Sequence, residues 1–416
     1  VETQTRTGGP ALAQTKDAQA TTRRALGLVF FIMLMDVVGL TILQPVAPYL
    51  VRRYSDDALM VTMLTVIYAA AQFFAAPALG KLGDRYGRRP VLLVSVLGAT
   101  IGYVIFGIGG ALWVLFLSRL ISGITGGNMS TASAYIADVS RPQERARNFA
   151  LVGMAWGVGL ILGPALGAVF GQMSHEAPAW TAAALSLLSV LLGFFALPES
   201  LPREQRETAP IRASDLNPFV SIGQMARQPG LGWLLLVLCL FNLAFNGINS
   251  TEALFLIEKF AAQSWQIGLQ LVLLGIAITV AQAALVPWLV PRYGERVIAI
   301  VCLLGQALGA LATFFAPLFW LIYPITVLSR AGSALIFPTL TTLNVNRVSP
   351  REQGVLMGVT TALGSLMNVL GPLWAGGVYD RVMPGAPYWM GAVVFGSAAL
   401  MLTRLPGAQA ATARVE

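Results

Sequence analysis

A chain of 416 residues that is 56% hydrophobic and only 11% charged is not an ordinary soluble enzyme, because soluble domains carry about 25% charged residues. Twelve membrane-crossing helices need about 240 mostly apolar positions, and the chain holds about 233 hydrophobic residues with 42 glycines beside them. The formal charge of +8 would suggest nucleic acid in a soluble protein, but in a membrane protein it is read from which side holds the Lys and Arg.

The first 24 residues are polar and mildly basic and are expected to form a disordered tail. They are not a removable signal peptide, since the apolar run behind them is too long for one. Apolar runs of helical length follow at 25–50, 59–80, 90–109, 112–138, 146–171 and 178–197. A polar linker over 198–230 separates them from a second set at 231–257, 264–290, 297–315, 318–345, 353–377 and 387–404, and 405–416 form a closing tail. The expectation is an all-α membrane protein of twelve helices, in two six-helix bundles over 25–197 and 231–404.

The first helix carries Asp36 about twelve residues from either end, close to the bilayer centre. An ionised carboxylate there costs about 3 kcal/mol or more, so Asp36 is expected to take up and release a proton. The fourth helix carries Arg119, whose guanidinium cannot discharge and must face water, a carboxylate or carbonyls. The seventh helix carries Asn242, Asn246 and Asn249 on one face with Phe241 and Phe245 beside it, a stripe that avoids lipid and is expected to line a cavity. Glu252 follows one turn later toward the outer interface, where a solvated carboxylate is cheap, and is a secondary candidate for carrying a proton or cation.

If both termini lie on one side, the tails and even-numbered loops hold 21 of the 27 Lys and Arg. The odd-numbered loops hold four, Arg52, Arg53, Lys259 and Arg381, and the last two are Arg119 and Arg330 inside helices. This asymmetry places both termini in the cytoplasm and leaves no basic surface that calls for nucleic acid. Cys239 and Cys302 lie in apolar runs and offer neither a disulfide nor a metal site, and His175 reads as a solvated loop residue without ligand partners. No nucleophile, base and orienting group occur together in a motif, so an enzyme is not expected, nor any cofactor.

The halves repeat at a period near 208 residues. Arg-Pro-Gln-Glu-Arg at 141–145 matches Ser-Pro-Arg-Glu-Gln at 349–353, and Gly163-Pro164 matches Gly371-Pro372. Arg-Tyr-Gly recurs at 85–87 and 292–294, and Ser118-Arg119 is echoed by Ser329-Arg330. A duplicated six-helix unit of this kind places a substrate site between the halves near the midplane.

The loop between helices two and three reads Gly80-x-x-x-Asp84-Arg85-x-Gly87-Arg88-Arg89, in which Asp84, Arg85 and Arg88 offer short-range ion pairs and Asp138 is a partner at the end of helix four. This loop resembles the signature of the major facilitator superfamily. Arg119-x-x-x-Gly123 is similar to the family's second motif, and Gly157 to Gly167, with Gly163-Pro164 inside it, to its antiporter motif. Asp36-x-x-Gly39 followed by Pro45 and Pro48 resembles the first-helix motif of the twelve-helix drug/proton antiporters. The nearest likeness is to the bacterial tetracycline/proton antiporters, through Ser-Gly-Ile-Thr-Gly-Gly at 122–127 and Ala-Tyr-Ile-Ala-Asp at 134–138.

The resemblance implies two halves related by a pseudo-two-fold axis, rocking about a central site, in a monomer of the bacterial inner membrane. It implies a proton-driven exporter of drug-like amphipathic molecules, conferring antibiotic resistance, with the proton gradient as its energy source. It further implies that Asp84 approaches the start of helix eleven in the outward-facing state, that Arg88 meets Asp138, and that the Gly163-Pro164-x-x-Gly167 face packs on the other half. Two positions depart from the tetracycline carriers, which have acids where this chain has Gly102 and Gln306. The residues alone leave open a sugar, lipid or metabolite carrier and, in a different class, a non-transporting membrane sensor.

Overall fold

The structure, a computed structural model, describes residues 9–126, 128–140, 145–206, 223, 225–228, 230–348 and 353–404. The repeated segments at 141–144 and 349–352, most of the linker and both chain ends lie outside the described residues.

The amino-terminal half is built from α1 (Gly9–Thr41), α2 (Ala47–Val51), α3 (Ala58–Tyr86), α4 (Arg88–Ile108), α5 (Leu112–Ile124), α6 (Asn128–Val139), α7 (Arg145–Phe170) and α8 (Ala177–Ala196). The carboxy-terminal half contains α9 (Leu231–Phe260), α10 (Ser264–Val280), α11 (Val286–Tyr293), α12 (Glu295–Phe315), α13 (Ile322–Val345), α14 (Gln353–Arg381) and α15 (Ala386–Thr403). Eleven spans among the described residues are long and apolar enough to cross a membrane. The twelfth is the α5–α6 pair, whose pieces of 13 and 12 residues are each too short alone.

Three expected helices are shaped differently from a continuous rod. Helix is already present from Gly9, where a disordered tail was expected, because the stretch before Arg23 is rich in alanine and other good helix formers. The run over 25–50 is interrupted after Thr41 and resumes as the short α2, since Pro45 and Pro48 lack the amides that would continue the ladder. The run over 112–138 breaks at Thr125-Gly126, and the freed Gly126 carbonyl accepts a hydrogen bond from Gln72 Nε2 at 2.6 Å. Between α10 and α11 a π-helical turn (Ala281–Leu285) absorbs the missing amide of Pro287.

Each half repeats one packing scheme. In the first, α1 packs on α7 and α8, and α4 on α5 and α8; in the second, α9 packs on α14 and α15, and α12 on α13 and α15. Small residues set these approaches. A Cβ on Gly163 would lie 1.9 Å from Thr41 Oγ1, and one on Gly371 would lie 2.8 Å from the Leu243 carbonyl. The Gly-Pro pairs therefore do the same work in both halves. Outward-facing Phe74, Phe195 and Leu328 give the bundle its apolar perimeter.

The halves meet through α3 against α14 and α7 against α10. At the face opposite the termini, one apolar core is shared, joining Leu43, Val46, Leu50 and Val61 to Leu254, Phe255, Ala262 and Tyr379. At the face carrying the termini the core divides. One cluster with Val29, Met33 and Tyr135 belongs to the first half, and another with Leu231, Leu356 and Leu363 to the second. Among the described residues the bundle is thus closed at one face by shared packing that the other lacks.

Candidate functional site

Asp36 sits half-buried on α1, and its Oδ1 accepts a hydrogen bond from Asn128 Nδ2 at 2.9 Å. The break in the fourth span makes Asn128 the first residue of α6, so the glycine-rich sequence before it delivers the donor. Gly39, one turn beyond Asp36, gives the Tyr103 ring its place: a Cβ there would lie 2.7 Å from the Tyr103 hydroxyl oxygen.

Arg119 is only 6% exposed. Its guanidinium lies over the rings of Phe106 and Tyr103, at 4.8 and 5.7 Å from their centroids, with Ser118 Oγ 3.4 Å from Nη2. Its Nε has no hydrogen-bond partner, and among the described residues no carboxylate reaches within 4 Å of it. Gly123, in the same motif, allows α5 to close on the backbone of Tyr68, which a Cβ would meet at 2.5 Å. Arg119 and the α1 turn after Asp36 meet the same ring, Tyr103, yet no ion pair joins Asp36 to Arg119. The sequence reading missed Asn128, Tyr68 and Tyr103; the one available signal was a polar residue directly after Gly126-Gly127.

In the other half, Glu252 is buried, not solvated as expected. α9 continues to Phe260, which leaves Glu252 two turns inside, where it forms an ion pair with Arg330 Nη2 at 3.1 Å. Gln270 Nε2 donates to its other oxygen at 2.7 Å and also to Thr326 Oγ1 at 3.2 Å. Beside the pair is a cavity of about 20 Å³ whose lining includes Gln306, Ser329 and Tyr388, room for about one water molecule. Gln306 is buried and donates from Nε2 to the Ser329 carbonyl. At Gly102 a Cβ would fall 2.1 Å from Ser122 Oγ, so that place is filled by helix packing.

The asparagine stripe is half-buried. Asn242 and Asn246 each donate at 2.8 Å to a carbonyl of their own helix, and Phe245 lies under Arg330 at 5.2 Å. Asn249 is half-buried one turn beyond. Among the described residues no hydrogen bond connects this stripe to Asp36, and none contains three metal-ligating side chains grouped for an ion.

The signature loop is an ion-paired clasp at the face of the termini. Arg88 meets Asp84 at 2.5 Å and Asp138 at 3.2 Å, and approaches the Gly80 carbonyl at 3.5 Å. Gly87 turns with φ of 107°, and a Cβ there would strike Glu199 Oε2 at 2.3 Å. Glu199 Oε1 accepts from the Arg88 amide at 2.9 Å, and Arg206 pairs with Glu199 at 3.6 Å, so two linker residues unnoticed in the sequence complete the clasp. Among the described residues Arg85 makes no ion pair, contrary to expectation; it is exposed and lies over Tyr86. Asp84 pairs within its own loop.

Three of the antiporter-motif glycines face their own half, while a Cβ on the fourth, Gly157, would lie 3.5 Å from Thr279 of the other. Gly159, Gly163 and Gly167 pack on Val37, Thr41 and Ile42 of the α1 segment, because spacing by four places all three on one side of α7. The opposite half touches other positions of the same helix: a Cβ on Gly268 of α10 would lie 2.3 Å from Ala168 Cβ and 2.9 Å from the Pro164 carbonyl.

Closure at the far face also uses polar contacts. Arg52 pairs with Glu258, the Tyr379 hydroxyl donates to the same carboxylate, and the Tyr49 hydroxyl donates to the Ala262 carbonyl. Both oxygens of Asp380 accept from the Ala58 and Leu59 amides, at 2.8 and 2.9 Å. His175, expected to be solvated, stacks on Tyr49 with centroids 4.9 Å apart. Burial and the neighbouring Arg53 push its pKa below the ordinary histidine value.

The family model of the Major Facilitator Superfamily matches residues 29–372 and 248–414. The tetracycline resistance protein of class C from Escherichia coli is 36% identical over 385 residues, covering 92% of this chain and 96% of that one. The class G protein from Vibrio anguillarum is 34% identical over 382 residues, covering 91% and 95%. Among solved structures, the human organic anion transporter MFSD10 (TETRAN) superposes with a TM-score of 0.67 at 25% identity, covering 92% of this chain and 99% of that one.

Proposed function

The chain belongs to the major facilitator superfamily and is a multi-pass membrane transporter, and we propose that it is a proton-coupled antiporter exporting small amphipathic molecules from a bacterial cytoplasm. Both termini are cytoplasmic in this reading, supported by the 21 Lys and Arg of the tails and even-numbered loops. The face with the shared core then points outward, and the conformation is inward-facing.

The observation that carries the proposal is Asp36: a carboxyl deep in a membrane helix, held by Asn128 at a helix break and, among the described residues, lacking an ion-pair partner. Such a group exchanges its proton against cargo as access alternates. Protonation from outside neutralises Asp36 and releases cargo; deprotonation toward the cytoplasm readies it for the next. Arg119 tunes that exchange through Tyr103, which lies between it and the Asp36 turn. Glu252 is neutralised by Arg330 and holds the second half together. The proton gradient supplies the energy. Relatives named for tetracycline resistance supply the drug-like class of cargo.

The test is flux in proteoliposomes under an imposed pH gradient with a small drug panel. The native chain drives efflux with the gradient, while Asp36→Asn folds and loses gradient-driven transport. Undiminished pH-driven transport by that variant would sink the assignment.

A further inference from the structure

Two membrane-buried arginines occupy matched places in the repeat, each after a serine, and the halves treat them differently. Arg330 has an internal counter-charge, Glu252, at 3.1 Å. Arg119 has none. Among the described residues its Nε is unpartnered and its hydrogen-bonding contact is a 3.4 Å approach to Ser118, while its guanidinium lies over the ring faces of Phe106 and Tyr103. A guanidinium cannot shed its charge, and leaving one buried and unpaired is costly.

The acid that shares its neighbourhood, Asp36, is not its partner: Arg119 lies over the Tyr103 ring, whose hydroxyl packs on Gly39 one turn beyond Asp36, and no ion pair joins the two charges. Asp36 uses Oδ1 on Asn128, and among the described residues no hydrogen bond reaches Oδ2. Among the described residues the amino-terminal half therefore presents a carboxyl and a guanidinium that are each without an ion-pair partner and are linked through the Tyr103 ring.

Building on the antiport reading above, we infer that the cargo is a zwitterionic aromatic amphiphile, its acidic group paired with Arg119, its basic group with Asp36 and its ring against Tyr103. A proton arriving at Asp36 displaces the basic group and leaves the acidic end held alone. The charge count follows. One proton entering against a net-neutral cargo leaving moves one charge per cycle, whereas a cationic cargo exchanged for one proton moves none. A potential of 100 mV then changes the attainable zwitterion gradient about 50-fold.

The test uses the full chain in proteoliposomes and four forms of one scaffold: norfloxacin (zwitterion), its ethyl ester (cation), its N-acetyl derivative (anion) and the N-acetyl ethyl ester (neutral). The same four forms of 2-naphthylalanine, with methyl esters, bring the two charges closer together. In competition binding, the zwitterion of at least one scaffold is expected to win, with esterification and acetylation each weakening it roughly ten-fold or more. Arg119→Gln should erase the penalty of esterification alone, and Asp36→Asn that of acetylation alone.

If esters or N-acetyl forms bind as well as the zwitterions in both scaffolds, the inference falls. It also falls if sodium chloride alone stabilises the native chain against heat as much as the zwitterion does, which assigns Arg119 to an inorganic anion. Should Arg119→Gln fail to fold, the ranking on the native chain and the dependence on a potassium diffusion potential decide the matter. Gradient-driven export of the cationic esters without potential dependence keeps the antiport and removes the zwitterion. The expected ranking without gradient-driven flux keeps the site and removes the antiport.

Discussion

Asp380 of α14 caps Ala58 of α3 across the interface between the halves, its two oxygens taking the first free amides of that helix at 2.8 and 2.9 Å. Helix amino termini expose unpaired N–H groups and a partial positive charge, both of which favour a carboxylate. The cap exists only while this face is closed. Asp380→Ala removes about 0.5–2 kcal/mol from that conformation, shifting the equilibrium toward opening by roughly 2- to 30-fold, with Asp380→Asn between the two. Alkylation of a cysteine placed at Thr62, buried beside Gly376 in the closed face, measures the shift. Equal labelling of native and variant backgrounds would show that the cap carries no weight.

The Glu252 and Arg330 pair predicts a different pattern, in stability. Removing one member of a buried ion pair leaves an uncompensated charge and costs about 3–5 kcal/mol, whereas replacing both with apolar groups of similar size is near neutral. Glu252→Met and Arg330→Met should each lower the thermal midpoint strongly, and the double variant should recover most of the loss. An additive double variant contradicts the pairing.

What was legible in the sequence follows from where each signal resides. The membrane spans were readable because apolar runs are local, and Asp36 and Arg119 stood out because charge in such a run is rare. Breaks at Thr125-Gly126 and after Thr41 were not, since glycine and proline occur in continuous membrane helices as well. Glu252 was misplaced by a helix end drawn three residues early. The glycines of α7 were recognised, but which helix lies on their face is a property of the bundle. Glu199, Glu258, Tyr379 and Asp380 went unnoticed because their partners are distant in sequence, and a lone acid near a helix end reads as solvated.

That misread face yields a test of its own. A side chain at Gly268 has nowhere to go, with Ala168 Cβ at 2.3 Å and a backbone carbonyl at 2.9 Å, and relief requires α10 to part from α7 across the interface. Gly268→Ala should therefore penalise the closed face by about 1–3 kcal/mol and raise labelling at Thr62. Gly153→Ala and Gly364→Ala meet nothing within 4 Å and serve as controls, each expected to be neutral or slightly stabilising through helix propensity. If all three behave alike, α7 and α10 tolerate separation that their packing does not suggest.

His175 gives the closed face a pH dependence whose sign can be stated. Its ring stacks on Tyr49, whose hydroxyl donates across the interface to Ala262, and the charged groups facing it are Arg53 and Glu176. Burial first, then Arg53, lower its folded pKa below the unfolded value of 6.5, with Glu176 opposing. The folded chain therefore favours the neutral ring, and Tyr49 ties that ring to the closed face. Its contribution is complete above the unfolded pKa and is lost as pH falls through the folded one. Acidifying this face from about pH 7.5 to about pH 5.5 should increase labelling at Thr62, and His175→Gln should flatten that part of the response. With the outward orientation proposed above, external acid loosens the gate at the side from which the proton must enter. An unchanged pH slope in the His175→Gln variant would place the sensitivity elsewhere.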